Sequence, residues 1–256
     1  MILLLGGTHE GREIAEILNA LGHPYVLSVT TSLGYDLYHT TAGNCIIKKF
    51  TPEALSTYIK AEGIHLIIDA THPHAEVIKT NARVSALEHD ILYWRFERKT
   101  EGTLPRNVSI SKYTSISKAI LSLKEIVRDD EKLLITGTKH IPEFLATFKK
   151  SQCVFRIMPG EDSMAICMAN GVPIENIIAI KAPCSLEMNR CIFKDFNINY
   201  FVFKNSGRGS AFKSNIEALE DTAVKGVIIE PHTVIVDTLF EDLSSLERAL
   251  MIYKPQ

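Results

Sequence analysis

Two rhythms of apolar residues alternate from the first position onward. Ile2-Leu3-Leu4-Leu5 is a short unbroken apolar run, the pattern of a strand buried on both faces of a parallel sheet. Ile14, Ile17, Leu18 and Leu21 follow at the spacing of an amphipathic helix over 10–21, closed by Gly22. Tyr25 to Val29 resumes the extended run, which completes a β-α-β unit. The same reading predicts strands at Cys45 to Phe50, Leu66 to Ile68 and Ile91 to Trp94, with helices over Pro52 to Ala61 and Ala75 to Glu88.

From Arg98 to Ser111 the chain is charged and turn-rich, with Gly102 and Pro105, so a domain boundary is expected between residues 100 and 130. The second half repeats the first in kind. Helices are predicted at Ser117 to Val127, Ile141 to Phe148, Asp162 to Asn170, Ser185 to Asp195, Phe212 to Asp221 and Leu243 to Met251. Strands are predicted at Leu133 to Ile135, Cys153 to Ile157, Ile174 to Ile180, Tyr200 to Phe203, Gly226 to Ile229 and Val234 to Val236. This alternation implies an α/β fold: two Rossmann-like domains, residues 1–110 and 111–256, with mostly parallel sheets and a cleft between them.

Composition narrows the possible functions. A net charge of −2 leaves no general excess of Lys and Arg for nucleic-acid binding. The cysteines, Cys45, Cys153, Cys167, Cys184 and Cys191, are scattered without a C-x-x-C pair, which reads as reduced thiols in a cytoplasmic protein. The apolar start ends at Gly6, far short of the roughly 18 residues of a membrane span, so it reads as a first strand rather than a leader or membrane segment.

Three polar segments at predicted strand ends carry the candidate chemistry. Gly6-Gly7-Thr8-His9-Glu10-Gly11-Arg12 joins the first strand to the first helix. Glycines there bring backbone amides close to a ligand, and a helix start favours a phosphate. Thr8 and Glu10 are placed to cap the helix, and Arg12 to pair with a phosphate. At the end of the second strand, Thr30-Thr31-Ser32 offers neither an acid for a ribose 2′-hydroxyl nor an arginine for a 2′-phosphate, which leaves NADH and NADPH equally open.

The second segment is Asp69-Ala70-Thr71-His72-Pro73-His74. It reads as a structural cap or as a ligand contact, with Asp69, Thr71 and His72 assigned to the cofactor and His74 to the substrate. His72 and His74 are the candidate proton donors. A metal is not assigned, because the helical spacing of a histidine pair is missing. The third set is Thr136-Gly137-Thr138-Lys139-His140 and Lys204-Asn205-Ser206-Gly207-Arg208-Gly209-Ser210, with Lys213 beyond. Glycine-exposed amides, hydroxyls and fixed positive charge suit carboxylates or phosphates. Lys139, His140, Lys204, Ser206, Gly207, Arg208 and Lys213 are therefore assigned to an anionic small molecule.

These residues resemble the precorrin-6A and cobalt-precorrin-6A reductases of cobalamin biosynthesis. The resemblance rests on Leu5 to Arg12, on Ile68-Asp69-Ala70-Thr71-His72-Pro73-His74-Ala75 and on Lys204-Asn205-Ser206-Gly207. Weaker echoes are Arg95, Arg98, Arg156 with Met158-Pro159, and Ala182-Pro183-Cys184-Ser185. The chain departs from the family pattern at Asn205, Ala182, Cys184 and Glu230.

The resemblance implies hydride transfer from a reduced nicotinamide, NADH or NADPH, to a double bond of a polycarboxylate corrin precursor with or without cobalt. It also implies a first domain that binds the cofactor, a second that binds the substrate, and Arg95 and Arg98 behind the substrate rim; charge and hydropathy add the expectation of no nucleic-acid or membrane partner, and a monomer or weak homo-oligomer is expected. Two other readings stay open, another nicotinamide-dependent reductase or epimerase and a nonenzymatic dinucleotide sensor. Short-chain reductases and epimerases usually carry Tyr-x-x-x-Lys, whereas Tyr93 is followed four residues on by Glu97.

Overall fold

Adjacent apolar residues form strands that all pair in parallel. In the first half of the chain the elements are β1 (Ile2–Leu5), α1 (His9–Ala20), β2 (Tyr25–Val29), α2 (Ser32–Tyr38), β3 (Cys45–Ile47), α3 (Pro52–Glu62), β4 (Leu66–Asp69), α4 (Glu76–Glu88), β5 (Leu92–Phe96), β6 (Ile110–Tyr113) and α5 (Ile116–Ile126). The second half contains β7 (Lys132–Thr136), α6 (Ile141–Thr147), β8 (Cys153–Ile157), α7 (Glu161–Ala169), β9 (Ile177–Ala179), α8 (Leu186–Asp195), β10 (Ile198–Lys204), α9 (Phe212–Leu219), β11 (Lys225–Ile229), β12 (Leu239–Phe240) and α10 (Leu243–Ile252). This computed structural model describes residues 1–41, 43–97, 107–205, 211–231 and 238–254. The predicted strand at Val234 to Val236 lies outside them. None of the described helices is long and apolar enough to cross a membrane.

The two sheets have the order β3-β2-β1-β4-β5-β12 and β9-β8-β7-β10-β11-β6. Both are the 3-2-1-4-5-6 order of a doubly wound sheet, with one difference from a simple tandem repeat. The sixth place in each is filled by a strand from the other half of the chain. Accordingly one unit comprises Met1–Lys99 with Thr233–Gln256, and the other Thr100–His232.

That exchange corrects the domain limits expected from the sequence, which left everything after residue 110 in the second domain. The outer edge of β5 takes up β12, with Leu239 opposite Arg95 and Phe240 opposite Phe96. Behind it, Leu246 and Leu250 of α10 are fully buried against Ile14, Leu18, Trp94 and the even-numbered side chains of β1. The opposite face of the sheet is covered by Leu55 and Ile59 of α3 and by Ala82 and Ala86 of α4, packed on Leu3, Leu5 and Ile67. In the second unit Ile141 and Phe144 of α6 cover one face and Ile192, Phe193 and Ile216 of α8 and α9 the other.

Other differences from the predicted elements have local causes. Helix α2 was missed because Gly34 and Asp36 dilute its apolar pattern, and it is nucleated instead by Thr31, whose hydroxyl accepts from the Gly34 amide at 3.0 Å. The strand expected from Ile174 begins with a 3-10 turn at Ile174–Asn176, held by Asn176 Nδ2 donating to the Lys150 carbonyl at 2.9 Å.

The docking of α10 carries a titratable seam. His65 Nδ1 lies 2.6 Å from the Tyr253 hydroxyl, and Tyr253 packs edge-on against Trp94, the chain's single tryptophan. Burial, followed by the nearby amino terminus and His23, lowers the pKa of His65 from 6.5. The unfolded chain therefore binds a proton that the folded chain resists, so this contribution is present above pH 6.5 and is lost as pH falls through the folded value. Urea unfolding followed by Trp94 fluorescence will show a lower midpoint at pH 5.5 than at pH 7.5. The gap will narrow in His65→Gln.

Candidate functional site

The first sheet reverses its strand order between β1 and β4, and ligands of open α/β sheets bind outside the strand ends at such a point. Two of the three polar segments meet there. Leu5 pairs with Asp69, and the Thr8 hydroxyl, leaving the helix end uncapped by a side chain, donates instead to the Ala70 carbonyl at 2.9 Å. Gly7 has φ 129°, a conformation that favours glycine, and a Cβ there would project into open space. A Cβ on Gly11 would lie 3.3 Å from the Gly6 Cα, so its absence lets α1 close onto the turn. The Gly6 amide donates to the Ser28 carbonyl at 2.9 Å, which ties the turn to β2. Tyr38 of α2 donates its hydroxyl to the Thr8 carbonyl, and burial pushes its pKa up to about 12, so it remains a donor.

The facing loop is held by a buried ion cluster. Asp69 is fully buried, and its Oδ1 accepts from the Thr71 amide at 2.9 Å, the Thr71 hydroxyl at 2.6 Å and Arg95 Nη1 at 2.9 Å. Its Oδ2 accepts from the Tyr93 hydroxyl at 2.7 Å. Arg95, 3% exposed, also donates from Nη2 to the Thr71 carbonyl and to Glu97 Oε2, each at 2.9 Å. Lys79 of α4 closes the cluster, with Nζ 3.4 Å from Glu97 and bonded to the Pro73 carbonyl. Burial first, then the charge of Arg95, lowers the pKa of Lys79. Burial and the Asp69 carboxylate raise that of Tyr93, which keeps the phenol neutral.

This cluster changes two assignments. Asp69 does not reach a ribose, because its oxygens are enclosed by the loop it shapes. Arg95 does not reach a substrate rim, because Asp69 and Glu97 consume its guanidinium inside the protein. What the cluster presents is the half-buried pair His72 and His74, with ring centroids 5.6 Å apart. His72 Nδ1 accepts from the His74 amide at 3.2 Å, which places the proton of the neutral ring on Nε2. Lys79, Tyr93, Glu97 and Tyr38 escaped the sequence reading as site residues. The signal for the first three was charge and hydroxyl placed next to, or inward from, a buried aspartate.

The remaining assignments separate clearly. Glu10 lies in the first turn of α1. Arg12 is exposed and bonded to Glu16 on its own helix at 3.2 Å. Thr30, Thr31 and Ser32 are exposed at the end of β2, with Thr31 spent on capping α2. In the second unit, Gly137 mirrors Gly6, its amide donating to the Arg156 carbonyl at 2.8 Å. Lys139 is exposed there, while His140 pairs with Glu143 at 3.0 Å. Lys204 ends β10 half-buried, followed by Asn205, whose Nδ2 donates to Glu230 at 2.7 Å. Lys213 is exposed, 3.7 Å from Glu217. Arg98, Ser206, Gly207 and Arg208 lie outside the described residues. Among the described residues no cluster of three or more His, Cys, Asp or Glu is arranged to hold a metal ion.

Comparison with known proteins gives one consistent result. The family model described as "Precorrin-6x reductase CbiJ/CobK" matches residues 1–251. The cobalt-precorrin-6A reductase of Priestia megaterium is 28% identical over 98% of this chain and 98% of its own. That of Methanocaldococcus jannaschii is 26% identical over 96% of each. Among solved structures, a CobK precorrin-6A reductase superposes with a TM-score of 0.76 at 20% identity, covering 100% of this chain and 98% of that one, a likeness of fold.

The buried cluster can be broken from one side. Asp69→Asn leaves Arg95 without its fully buried partner, and loss of one member of such a pair costs about 3–5 kcal/mol. Denaturant unfolding will register that loss. Hydrogen exchange will rise first at the Thr71 amide, which loses its carboxylate acceptor.

Proposed function

The chain belongs to the precorrin-6x reductase family, and from that premise we infer an enzyme that reduces a ring double bond of precorrin-6A, or its cobalt-bearing form, to the 6B level with NADH or NADPH. The family match over residues 1–251 carries this reading. The glycine turn at the junction of β1 and β4 supports it, since a pyrophosphate needs closely approachable amides and a helix start. The cobalt-bearing macrocycle is the first substrate to test, because both relatives named above act on that form by their names.

In this reading the turn at Gly6 and Gly7 and the first turn of α1 hold the pyrophosphate. The fit is steric: the open side of Gly7 is a place a side chain would fill, and Gly11 keeps the helix close behind it. Thr30, Thr31 and Ser32 stand beside the adenosine ribose, where neither a carboxylate nor an arginine selects one cofactor. When bound, the reduced nicotinamide supplies a hydride to one carbon of the double bond.

The protein's own contribution is orientation. A conjugated ring held by several rim carboxylates cannot rotate away from a near-attack geometry. Lys139, His140, Lys204 and Lys213 are the described cations and histidine assigned to that rim, and His74 is the corresponding group in the first unit. His72 and His74 are the side chains proposed to deliver the proton that accompanies the hydride, since their loop adjoins the glycine turn through Thr8 and Ala70. A cytoplasmic location and a small-molecule substrate, without nucleic acid or membrane, belong to the same proposal.

An anaerobic assay with precorrin-6A or cobalt-precorrin-6A and each reduced nicotinamide will show reductant and macrocycle consumed in equal amounts. Absence of turnover with both macrocycles, despite cofactor binding, would overturn the reductase reading in favour of a sensor. In Gly7→Ala the strained φ and the added methyl will raise the cofactor's KM by about tenfold, while the KM for the macrocycle stays near that of the parent. Paired initial-rate series in the two substrates will measure both.

A further inference from the structure

The two units each bury an arginine near the strand ends, and the two arginines are neutralised very differently. Arg95 sits between Asp69 and Glu97. Arg156, on β8 and 6% exposed, has no carboxylate partner among the described residues. Its Nη1 donates to Asn189 Oδ1 at 2.5 Å and its Nη2 to Asn215 Oδ1 at 3.2 Å. It also hydrogen-bonds the Cys184 side chain, and its guanidinium carbon lies 5.1 Å from the centre of the Phe201 ring.

Among the described residues the partners of this cation carry no charge. A buried charge without a counter-ion is costly, and burial indeed lowers the pKa of Arg156. A second polar group at the same place is also unmatched. Asn189 is fully buried, and its Nδ2 has no hydrogen-bond partner. Asn189 and Asn215 lie in the first turns of α8 and α9, so the arginine is held from two helix starts with positive dipole character and gains no compensating charge from them. A guanidinium retains N–H donors beyond those spent on three neighbours.

We propose that Arg156, Asn189 and Asn215 form a carboxylate seat in the second unit that takes one acidic side chain of the macrocycle. The proposal rests on the reductase reading for the identity of its ligand. An incoming carboxylate supplies the missing negative charge to Arg156 and an acceptor for the Asn189 amide. The seat then discriminates by charge: a macrocycle with that side chain esterified or amidated leaves the arginine unneutralised.

The test uses the full chain, with Arg156→Gln, Arg156→Lys and Asn189→Leu as variants. Loss of a charge-assisted contact predicts a macrocycle KM about tenfold or more above the parent in Arg156→Gln, with kcat within about threefold and the NADPH dissociation constant within about twofold. Arg156→Lys will recover part of the KM, and Asn189→Leu will raise it in the same direction should Arg156→Gln fail to fold. A purely structural arginine would instead lower the melting temperature and kcat and leave the KM in place, and a KM within about twofold of the parent overturns the seat. The second readout is independent of turnover. Succinate, titrated at constant ionic strength against chloride, will raise the melting temperature of the parent and not of Arg156→Gln. In a chain that reduces no macrocycle, that difference keeps the seat and sinks the reductase reading, and equal stabilisation of both proteins sinks the seat.

Discussion

The contact between Asp69 and Arg95 governs the first unit more than any other. It joins β4 to β5 through paired residues, and it bends the chain after β4 by collecting the Thr71 amide, hydroxyl and carbonyl around two charged groups. The Ala70 carbonyl is thereby set where the Thr8 hydroxyl meets it. The geometry of the glycine turn and that of the histidine loop are consequently one problem. A cluster of two carboxylates and two cations meets the requirement that buried charges be paired, with Asp69, Arg95 and Lys79 enclosed and Glu97 at its outer side.

Around that point the chain solves the covering of two sheets by exchange. A doubly wound sheet leaves its sixth position open once five strands are laid down. Here each half of the chain hands its sixth strand and following helix to the other sheet, β6 with α5 to the second and β12 with α10 to the first. Because α10 buries Leu246 and Leu250 on the first sheet, the core of the first unit is completed by a segment that follows the whole of the second. The second unit is contiguous, whereas the first depends on covalent continuity through it for its hydrophobic closure.

Legibility followed burial. The central strands β1, β2 and β8 occupy the predicted residues, since positions buried on both faces read as unbroken apolar runs. Two of the four edge strands did not: Ile110–Tyr113 carries Ser111 and Lys112, and Leu239–Phe240 is too short for a pattern. The glycine turn was readable because Gly6, Gly7 and Gly11 encode backbone geometry directly. The roles of Asp69 and Arg95 were not. Their charges suggest solvent or ligand, and only the register of β4 against β5 brings them together inside the protein. Membership of a motif thus located the loop, while the enclosure of Asp69 by Arg95 became visible only in the paired strands.

The contrast between Arg95 and Arg156 gives the two sheet ends different electrostatic tasks. Both arginines belong to strands beside the switch region of a sheet with the same order. In the first unit the cation is spent internally, and beside it stand backbone amides, a helix start and the half-buried His72 and His74, a set suited to a diphosphate whose charge needs dipoles rather than another fixed ion. In the second unit the cation is left unspent among asparagines, a set suited to a carboxylate, whose planar oxygens match a guanidinium. Asn189 and Asn215 hold the guanidinium in place through their oxygens while adding no negative charge. Replacing either by aspartate would give Arg156 an internal counter-ion and remove the electrostatic reason for an external one. Asparagine at these positions is what keeps the second sheet end cationic, so fold repetition and division of labour are compatible.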